Sequence, residues 1–308
     1  MFLSQTALGI ELFQDGARMV SIGGKPHMPK LVAFHGVLFQ PDTMRISFRD
    51  ANIINASSFV TKIREAYVRL LVNSTRLSVS LPDAAGRVVL LDLETRFKTK
   101  EEGADIIRWK LKKNVPYEIN EMHLDYQVLQ ERETGDVATL VSLISRQVVT
   151  QYEDLLADAG LEPNLIDFTT FNIYRYFASR LESIENAALI VWRSGMLSIL
   201  VFYNGVLDFY RTKDLPGGIS DTNRFFREIN SSLLFYKDKK PGFTLNEAFF
   251  VAPQENSETI RSVVAETTGL DPILLDAIRG VARKEGLSLD GTNMYDLAAS
   301  IGAALRNL

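Results

Sequence analysis

The chain has 308 residues, of which 46% are hydrophobic and 23% are charged, and it carries a net charge of −4 and no cysteine. This composition is typical of a globular protein with a large core, and the length suits two ordinary domains or one bilobal unit. The negative charge argues against nucleic acid as a partner, and the lack of cysteine excludes disulfides, thiolate metal sites and cysteine nucleophiles.

No stretch of the sequence has the features of a secretory signal or a membrane span. Residues 1–13 lack a basic region followed by a long apolar core. The most apolar stretch, residues 187–203, is interrupted by Arg193, Ser194 and Gly195, which predicts two short strands joined by a tight turn. We therefore expect a soluble chain, for which any contact with a membrane is peripheral.

Apolar periodicity and turn signals predict the same order of elements in both halves of the chain. In the first half, strands are expected at 6–12, 16–22, 29–39, 76–82, 87–93, 122–132 and 137–146, helices at 55–73, 99–114 and 147–161, and a strand that runs into a helix within 162–181. In the second half, three strands within 187–215 precede a helix at 221–238, a strand at 246–253 and helices at 257–269 and 294–308. Each half therefore follows a β-β-β-α-β-α plan, which indicates an internal duplication.

Four stretches, in this order and spacing, resemble the actin-like PilM family of type IV pilus assembly proteins, which is related to the division protein FtsA. They are GIELFQDGARMV (9–20), KKNVPYEINEMHLDYQVL (112–129), YNGVLDFYRTKDLPGG (203–218) and IGAALR (301–306). The resemblance implies an α/β, actin-like fold (ribonuclease H-like, duplicated) with two lobes, at residues 1–185 and 186–308. It also implies a small inserted subdomain at about 95–165.

The connection after Gly218 is short in this chain, whereas the family has an outer subdomain of the second half there. Gly218 is followed almost at once by the helix that ends at Tyr236. We therefore expect this outer subdomain to be deleted.

Members of this fold bind nucleotide between the lobes, and the sequence departs from the family at each turn that would touch it. Glu11 stands where a metal-side aspartate is expected, and Phe13 stands where glycine lets backbone N–H groups approach a phosphate. In the second turn Arg193 stands in place of a glycine. The vestigial turns carried over by the resemblance comprise Gly9, Glu11, Phe13, Val191, Arg193, Gly217, Gly218, Pro253 and Gly302.

We therefore expect no catalytic residue, no metal and no cofactor. Mg-ATP would be a cofactor only if the chain were the ATP-binding pilus ATPase described below as an alternative. Glu11 and Asp15 are interpreted as hairpin acids and not as a general acid/base pair. The three histidines lack a partner at i, i+4, so they do not predict a metal site. Arg193 could bind a phosphate, but the interpretation preferred from the sequence is an ordinary exposed turn residue.

The resemblance implies a non-enzymatic, cytoplasmic scaffold at the inner-membrane face, in the assembly platform of a type IV pilus or a related secretion system. Its expected partner is the cytoplasmic tail of a PilN-like membrane protein, bound in a groove beside the inserted subdomain. One alternative is an ATP-binding pilus ATPase. Another is the cytoplasmic domain of a GspL-like type II secretion protein, which continues into a membrane helix, whereas this sequence ends at Leu308 without one.

One basic cluster has no place in these assignments. Its residues lie at the end of the helix predicted over 99–114, and are Arg108, Trp109, Lys110, Lys112 and Lys113. The cluster is either a contact for anionic lipid or an acidic partner, with the tryptophan as an interfacial anchor, or a solvated helix end favoured by the dipole. The sequence leaves both interpretations open, and it leaves the oligomeric state open too.

Overall fold

The computed structural model describes residues 6–113, 115, 117–289 and 292–308. In chain order, the first half comprises β1 (Ala7–Phe13), β2 (Gly16–Lys25), β3 (Met28–Leu38), α1 (Ala56–Arg69), β4 (Arg76–Leu81), β5 (Gly86–Leu93), α2 (Lys100–Lys112), β6 (Met122–Glu131), β7 (Val137–Ser145), α3 (Arg146–Asp158), β8 (Glu162–Phe168) and α4 (Thr169–Leu181). The second half comprises β9 (Ala187–Arg193), β10 (Met196–Tyr203), β11 (Val206–Asp214), α5 (Thr222–Lys239), β12 (Glu247–Val251), α6 (Ser257–Thr268), β13 (Ile273–Leu274), β14 (Ala282–Arg283) and α7 (Met294–Ala304).

The two main sheets share one strand order, which confirms the predicted duplication. Apart from the edge strand β14 beside β3, the first sheet runs β3-β2-β1-β4-β8, and the second runs β11-β10-β9-β12-β13. In each, the first three strands form an antiparallel meander, and the fourth strand lies parallel to the first. Because β1 and β9 are central and covered on both faces, every residue of β9 and nearly every residue of β1 is buried.

Helix α1 shows how the local sequence sets these elements. Asn55 caps its start, since the side chain accepts a hydrogen bond from the backbone N–H of Ser58. Phe59, Ile63 and Ala66 follow at helical spacing and are fully buried against the first sheet. The apolar face of the helix predicted over 55–73 therefore faces the core.

The insertion in the first half is a three-stranded antiparallel sheet, β5-β7-β6, with helix α2 packed on one face. Strand β5 belongs to it, because β5 pairs with β7 along its whole length. The unit therefore begins before the predicted range of about 95–165. Helix α3 and strand β8, which fall inside that range, belong to the core of the first lobe.

Two elements from the end of the chain return to the first sheet. Strand β14 pairs with β3, and helix α7 packs on β1, β2, β4 and helix α4. Glycines allow this close approach: a Cβ on Gly9 would lie 2.0 Å from the carbonyl oxygen of Ser300, and one on Gly302 would lie 1.8 Å from that of Asn172. Strand β14 and helix α7, which the sequence assigned to the second lobe, therefore contact the first.

The expected outer subdomain of the second half is missing, as the short connection predicted. All of residues 218–245 are described, and they form one 3-10 turn (Gly218–Ser220), helix α5 and the connection to β12. Helix α5 packs directly on the second sheet through Phe225, Ile229, Leu233 and Tyr236.

Candidate functional site

The hairpin turns of the two halves are joined by a buried ion pair between Glu11 and Arg193. Glu11 lies in β1 near the first turn, Arg193 is the last residue of β9, and they are 1% and 5% exposed. The guanidinium donates two parallel hydrogen bonds to the carboxylate, from Nε to Oε1 at 2.9 Å and from Nη2 to Oε2 at 2.5 Å. The sequence-based interpretation of Arg193 as an exposed turn residue is therefore wrong.

The same guanidinium also contacts the first turn of helix α7. Nη1 donates to the carbonyl oxygen of Tyr295 at 3.1 Å, and Nη2 donates to that of Asp296 at 2.9 Å. The tyrosine ring lies 4.7 Å from the guanidinium carbon, and its hydroxyl donates to the carbonyl oxygen of Trp192. Burial alone would lower the pKa of Arg193, but Glu11 and the tyrosine outweigh it and raise the pKa, so the group stays charged.

Arg18 and Asp296 complete a neutral group of four charges around this pair. Arg18 lies opposite Glu11 in the β1–β2 hairpin, with Nη1 3.8 Å from Oε2 of Glu11 and Nη2 3.4 Å from Oδ1 of Asp296. Its guanidinium stacks over the ring of Phe13 at 4.3 Å. The cross-strand register of the predicted hairpin would have identified Arg18. Tyr295 and Asp296 gave no such signal, because their proximity depends on how α7 packs.

The other residues of the predicted vestigial turns lie in the core or in surface turns. Val191 is 1% exposed in β9 and lies opposite Ser198 and Val251 in neighbouring strands. Gly217 and Gly218 follow β11, and Pro253 follows β12 in the second half. As described above, Gly9 and Gly302 serve the packing of α7. The structure thus brings Glu11 and Arg193 together, and it shows that Gly9 and Gly302 serve the packing of helix α7.

A second polar contact between the halves surrounds Asp83, in the turn between β4 and β5. Its Oδ2 accepts a hydrogen bond from Oγ1 of Thr170 at 2.9 Å, and its Oδ1 accepts one from the backbone N–H of Thr170 at 3.2 Å. Oγ1 of Thr170 also lies 2.8 Å from Oγ of Ser198, in the second sheet. Burial raises the pKa of Asp83 to about 7, and the bonds from Thr170 only partly oppose that effect.

A groove of about 520 Å³ lies between the face of the three-stranded sheet opposite α2 and strand β8. Strand β8 is the last strand of the first sheet and pairs with β4, so its other edge borders the groove. The β10–β11 turn of the second half adds a third wall. Residues that line the groove include Val88, His123, Asp125, Gln127, Leu129, Leu140, Ser142, Pro163, Leu165, Ile166, Asp167, Phe171, Tyr174, Arg175, Val206, Leu207 and Arg306.

The charges in this groove are mixed and partly paired. Nη1 of Arg306 donates to Oδ2 of Asp167 at 2.9 Å. Burial raises the pKa of Asp167 although Arg306 opposes the shift, and burial together with Arg306 lowers the pKa of Arg175. Apolar side chains such as Leu129, Leu140 and Ile166 remain partly accessible between these charges. The groove therefore offers apolar, charged and backbone contacts along one channel.

The basic cluster lies on helix α2, on the outer side of the three-stranded sheet. Trp109 is 64% exposed, and Nζ of Lys113 lies 3.6 Å from the centre of its ring. Lys112 is exposed as well. Arg108 is paired with Asp105 at 2.8 Å, and Lys110 lies 3.8 Å from Glu94. Among the residues that the structure describes, no helix has the length and apolar character needed to cross a bilayer.

Two solved structures place this architecture in the actin-like fold. A PilM–PilN type IV pilus biogenesis complex matches with a TM-score of 0.83 over 98% of this chain and 98% of that chain, at 17% identity. A Bacteroides thetaiotaomicron protein with an actin-like ATPase fold and unknown function matches with a TM-score of 0.54 over 88% and 91%, at 13% identity. The chain is therefore an actin-like α/β protein of two lobes, as the resemblance implied.

The sequence family follows from a second comparison. The model of the type IV pilus assembly protein PilM family matches residues 39–233, which is more than half of the chain. The chain therefore belongs to the PilM family. No curated protein matches it in sequence.

We predict that Asp83 makes the stability of the protein fall as the pH rises toward neutrality. An ordinary aspartate has a pKa of 3.8 and folded Asp83 one of about 7, so between these values the folded state holds a proton that the unfolded state releases. The contribution of Asp83 is thus complete below about pH 4 and is lost by about pH 7. Relative to the wild type, Asp83→Asn should gain roughly 3–4 kcal/mol in free energy of unfolding from pH 4 to pH 7, measured by urea denaturation.

Asp238→Asn is the matched control, because Asp238 is an exposed aspartate on helix α5. Its difference from the wild type should stay constant over the same pH range. A constant difference for Asp83→Asn as well would contradict the prediction.

Proposed function

We propose that this chain is a non-catalytic scaffold of the type IV pilus assembly platform, located in the cytoplasm at the inner-membrane face. It binds an extended segment of a partner, the cytoplasmic tail of a PilN-like membrane protein, in the groove between the three-stranded sheet and β8. The observation that carries the proposal is this open, three-walled groove beside the inserted subdomain. Membership of the PilM family favours a pilus platform over the type II secretion alternative.

The walls of the groove suit a peptide better than a small polar substrate. The outer edge of β8 can pair with an added extended segment, while apolar side chains on the opposite wall receive every second residue. The likeness to a solved PilM–PilN complex supports a partner of this kind. A groove of this type needs no catalytic group.

The residues at the two hairpin turns fit neither a phosphate nor a metal ion. Arg193 already uses four hydrogen bonds on protein oxygens, so a phosphate would find few of its five N–H groups free. Glu11, which stands at the metal-side position, is bonded on both oxygens to that guanidinium. The first turn is also tightly packed at Gly16, because a Cβ there would lie 2.3 Å from the carbonyl oxygen of Val37 and against the ring of Phe13.

We predict that an added charge on the apolar wall of the groove weakens peptide binding. Leu129→Glu places a carboxylate on the apolar wall and should weaken binding of the PilN-like tail peptide at least tenfold, since an unpaired charge must be desolvated on binding. Fluorescence anisotropy with a labelled tail peptide and the full-length protein measures this directly.

Val68→Glu is the matched control, since Val68 is 61% exposed on helix α1, away from the groove. This variant should bind the peptide as the wild type does. Equal affinity of the wild type and Leu129→Glu would place the peptide elsewhere, and no binding by the wild type would contradict the proposed function.

We predict that Mg-ATP does not bind, which separates the scaffold from the ATPase alternative. A ligand at a hundredfold its dissociation constant would raise the free energy of unfolding by about 2.7 kcal/mol. We expect no shift in the thermal unfolding midpoint and no heat in isothermal titration with Mg-ATP. A dissociation constant in the micromolar range would make the ATPase the better assignment.

The proposal includes a peripheral contact of helix α2 with anionic lipid. Its support is the exposed Trp109 with Lys113 stacked on the ring and Lys112 beside it. Of the five residues in the basic cluster, these three carry the contact, because acids partly neutralise Arg108 and Lys110.

We predict that Lys112→Glu/Lys113→Glu reduces binding to vesicles that contain phosphatidylserine, by co-sedimentation at low salt. Each lysine near such a surface contributes about 1 kcal/mol, so the double reversal should lower the partition coefficient by more than tenfold. Lys237→Glu/Lys239→Glu is the charge-matched control, because Lys239 stacks on the half-exposed Phe235 of α5 in the same manner. Equal loss in both variants would indicate a non-specific charge effect, and unchanged binding would leave α2 as a solvated helix end.

A further inference from the structure

The side chain of Arg193 is enclosed by oxygen atoms that come from elsewhere in the chain. Glu11 in β1 supplies two carboxylate oxygens, and the first turn of α7 supplies the carbonyl oxygens of Tyr295 and Asp296. We call these four oxygen atoms the oxygen cage. Both elements that form the cage pack in the first lobe, whereas Arg193 extends from the second sheet.

The strand that carries Arg193 is firmly anchored in the second lobe. Trp192, its neighbour, is buried in the second core, where its ring packs on Phe225 with centres 5.4 Å apart. The hydroxyl of Tyr295 donates to the carbonyl oxygen of Trp192, which adds a third hydrogen bond between β9 and α7 to the two made by Arg193. A force that separates the lobes would therefore have to withdraw the guanidinium from the cage.

We infer that the guanidinium of Arg193 is a built-in ligand of the oxygen cage, which holds the two lobes in one arrangement without any bound nucleotide. The cage is thus a cation site between the lobes, filled by the chain itself. This inference does not depend on peptide binding in the groove.

The geometry of the cage selects a guanidinium over other cations. Two parallel N–H groups meet the two carboxylate oxygens, and further N–H groups meet two carbonyls in different directions, which a compact ammonium cannot reproduce. Arg18 lies 3.8 Å from the same carboxylate, so a divalent cation in the cage would be repelled. A free guanidinium compound should therefore replace the missing side chain, and a free ammonium or Mg²⁺ should not.

The test is chemical rescue of Arg193→Ala in the full-length chain. Removing one partner of a buried pair leaves the carboxylate of Glu11 without its donors, so the thermal midpoint should fall by about 10 °C. Methylguanidinium, at concentrations too low to denature, should restore a large part of this loss in a saturable manner. Methylammonium at equal ionic strength should restore none of it.

Two controls assign the rescue to the cage. Glu11→Gln/Arg193→Ala lacks the carboxylate and should not respond to methylguanidinium, and the wild type should not respond because its cage is filled. Rescue of Arg193→Ala alone supports the inference. A stable Arg193→Ala protein, equal rescue by methylammonium, or the absence of rescue would each overturn it.

A double variant and its two single variants provide a second test if Arg193→Ala does not fold. Glu11→Met/Arg193→Met replaces the ion pair by apolar side chains of similar length and should unfold at a higher temperature than Glu11→Met or Arg193→Met alone. The two single losses would then exceed the loss in the double variant. Losses that simply add would show that the two side chains are not coupled, and would overturn the inference.

Discussion

The close packing of helix α7 on strand β1 and helix α4 is the contact on which the rest of the arrangement depends. It is possible because Gly9 and Gly302 leave room for the backbones of Ser300 and Asn172. A side chain at either glycine would push the helix away from its neighbours. The shift would be too large for the hydrogen bonds to Arg193 to persist. The carbonyl groups of Tyr295 and Asp296 would then lose their reach to Arg193. The glycines thus determine whether the oxygen cage can form.

The duplication explains why the ion pair joins the lobes at this point. β1 and β9 are equivalent central strands, and each leads into a hairpin turn. In a duplicated fold the two turns face each other, so one acid and one base at their ends are sufficient to bridge the halves. Here β1 supplies Glu11 and β9 supplies Arg193. The network around Asp83, Thr170 and Ser198 forms a second bridge near the start of α4.

The order of elements could be predicted because apolar periodicity and turn residues act over a few positions, and this order also revealed the duplication. The burial of Arg193 could not be predicted in the same way. A turn residue is buried only when the other half of the chain covers it, and its partners lie 182, 102 and 103 positions away. The start of the insertion was misplaced for a related reason. Only the pairing of β5 with β7 shows that β5 belongs to the inserted sheet.

A buried ion pair adds little net stability compared with a well-packed apolar pair, because both charges must leave water. Its effect on geometry is larger, since two parallel hydrogen bonds restrict the relative placement of β1 and β9. That placement matters for the groove, which takes one wall from the β10–β11 turn of the second lobe and the others from the first. A shift between the lobes would change the distance between these walls. The ion pair at the two hairpin turns and the walls of the groove thus depend on the same relative placement of the two lobes.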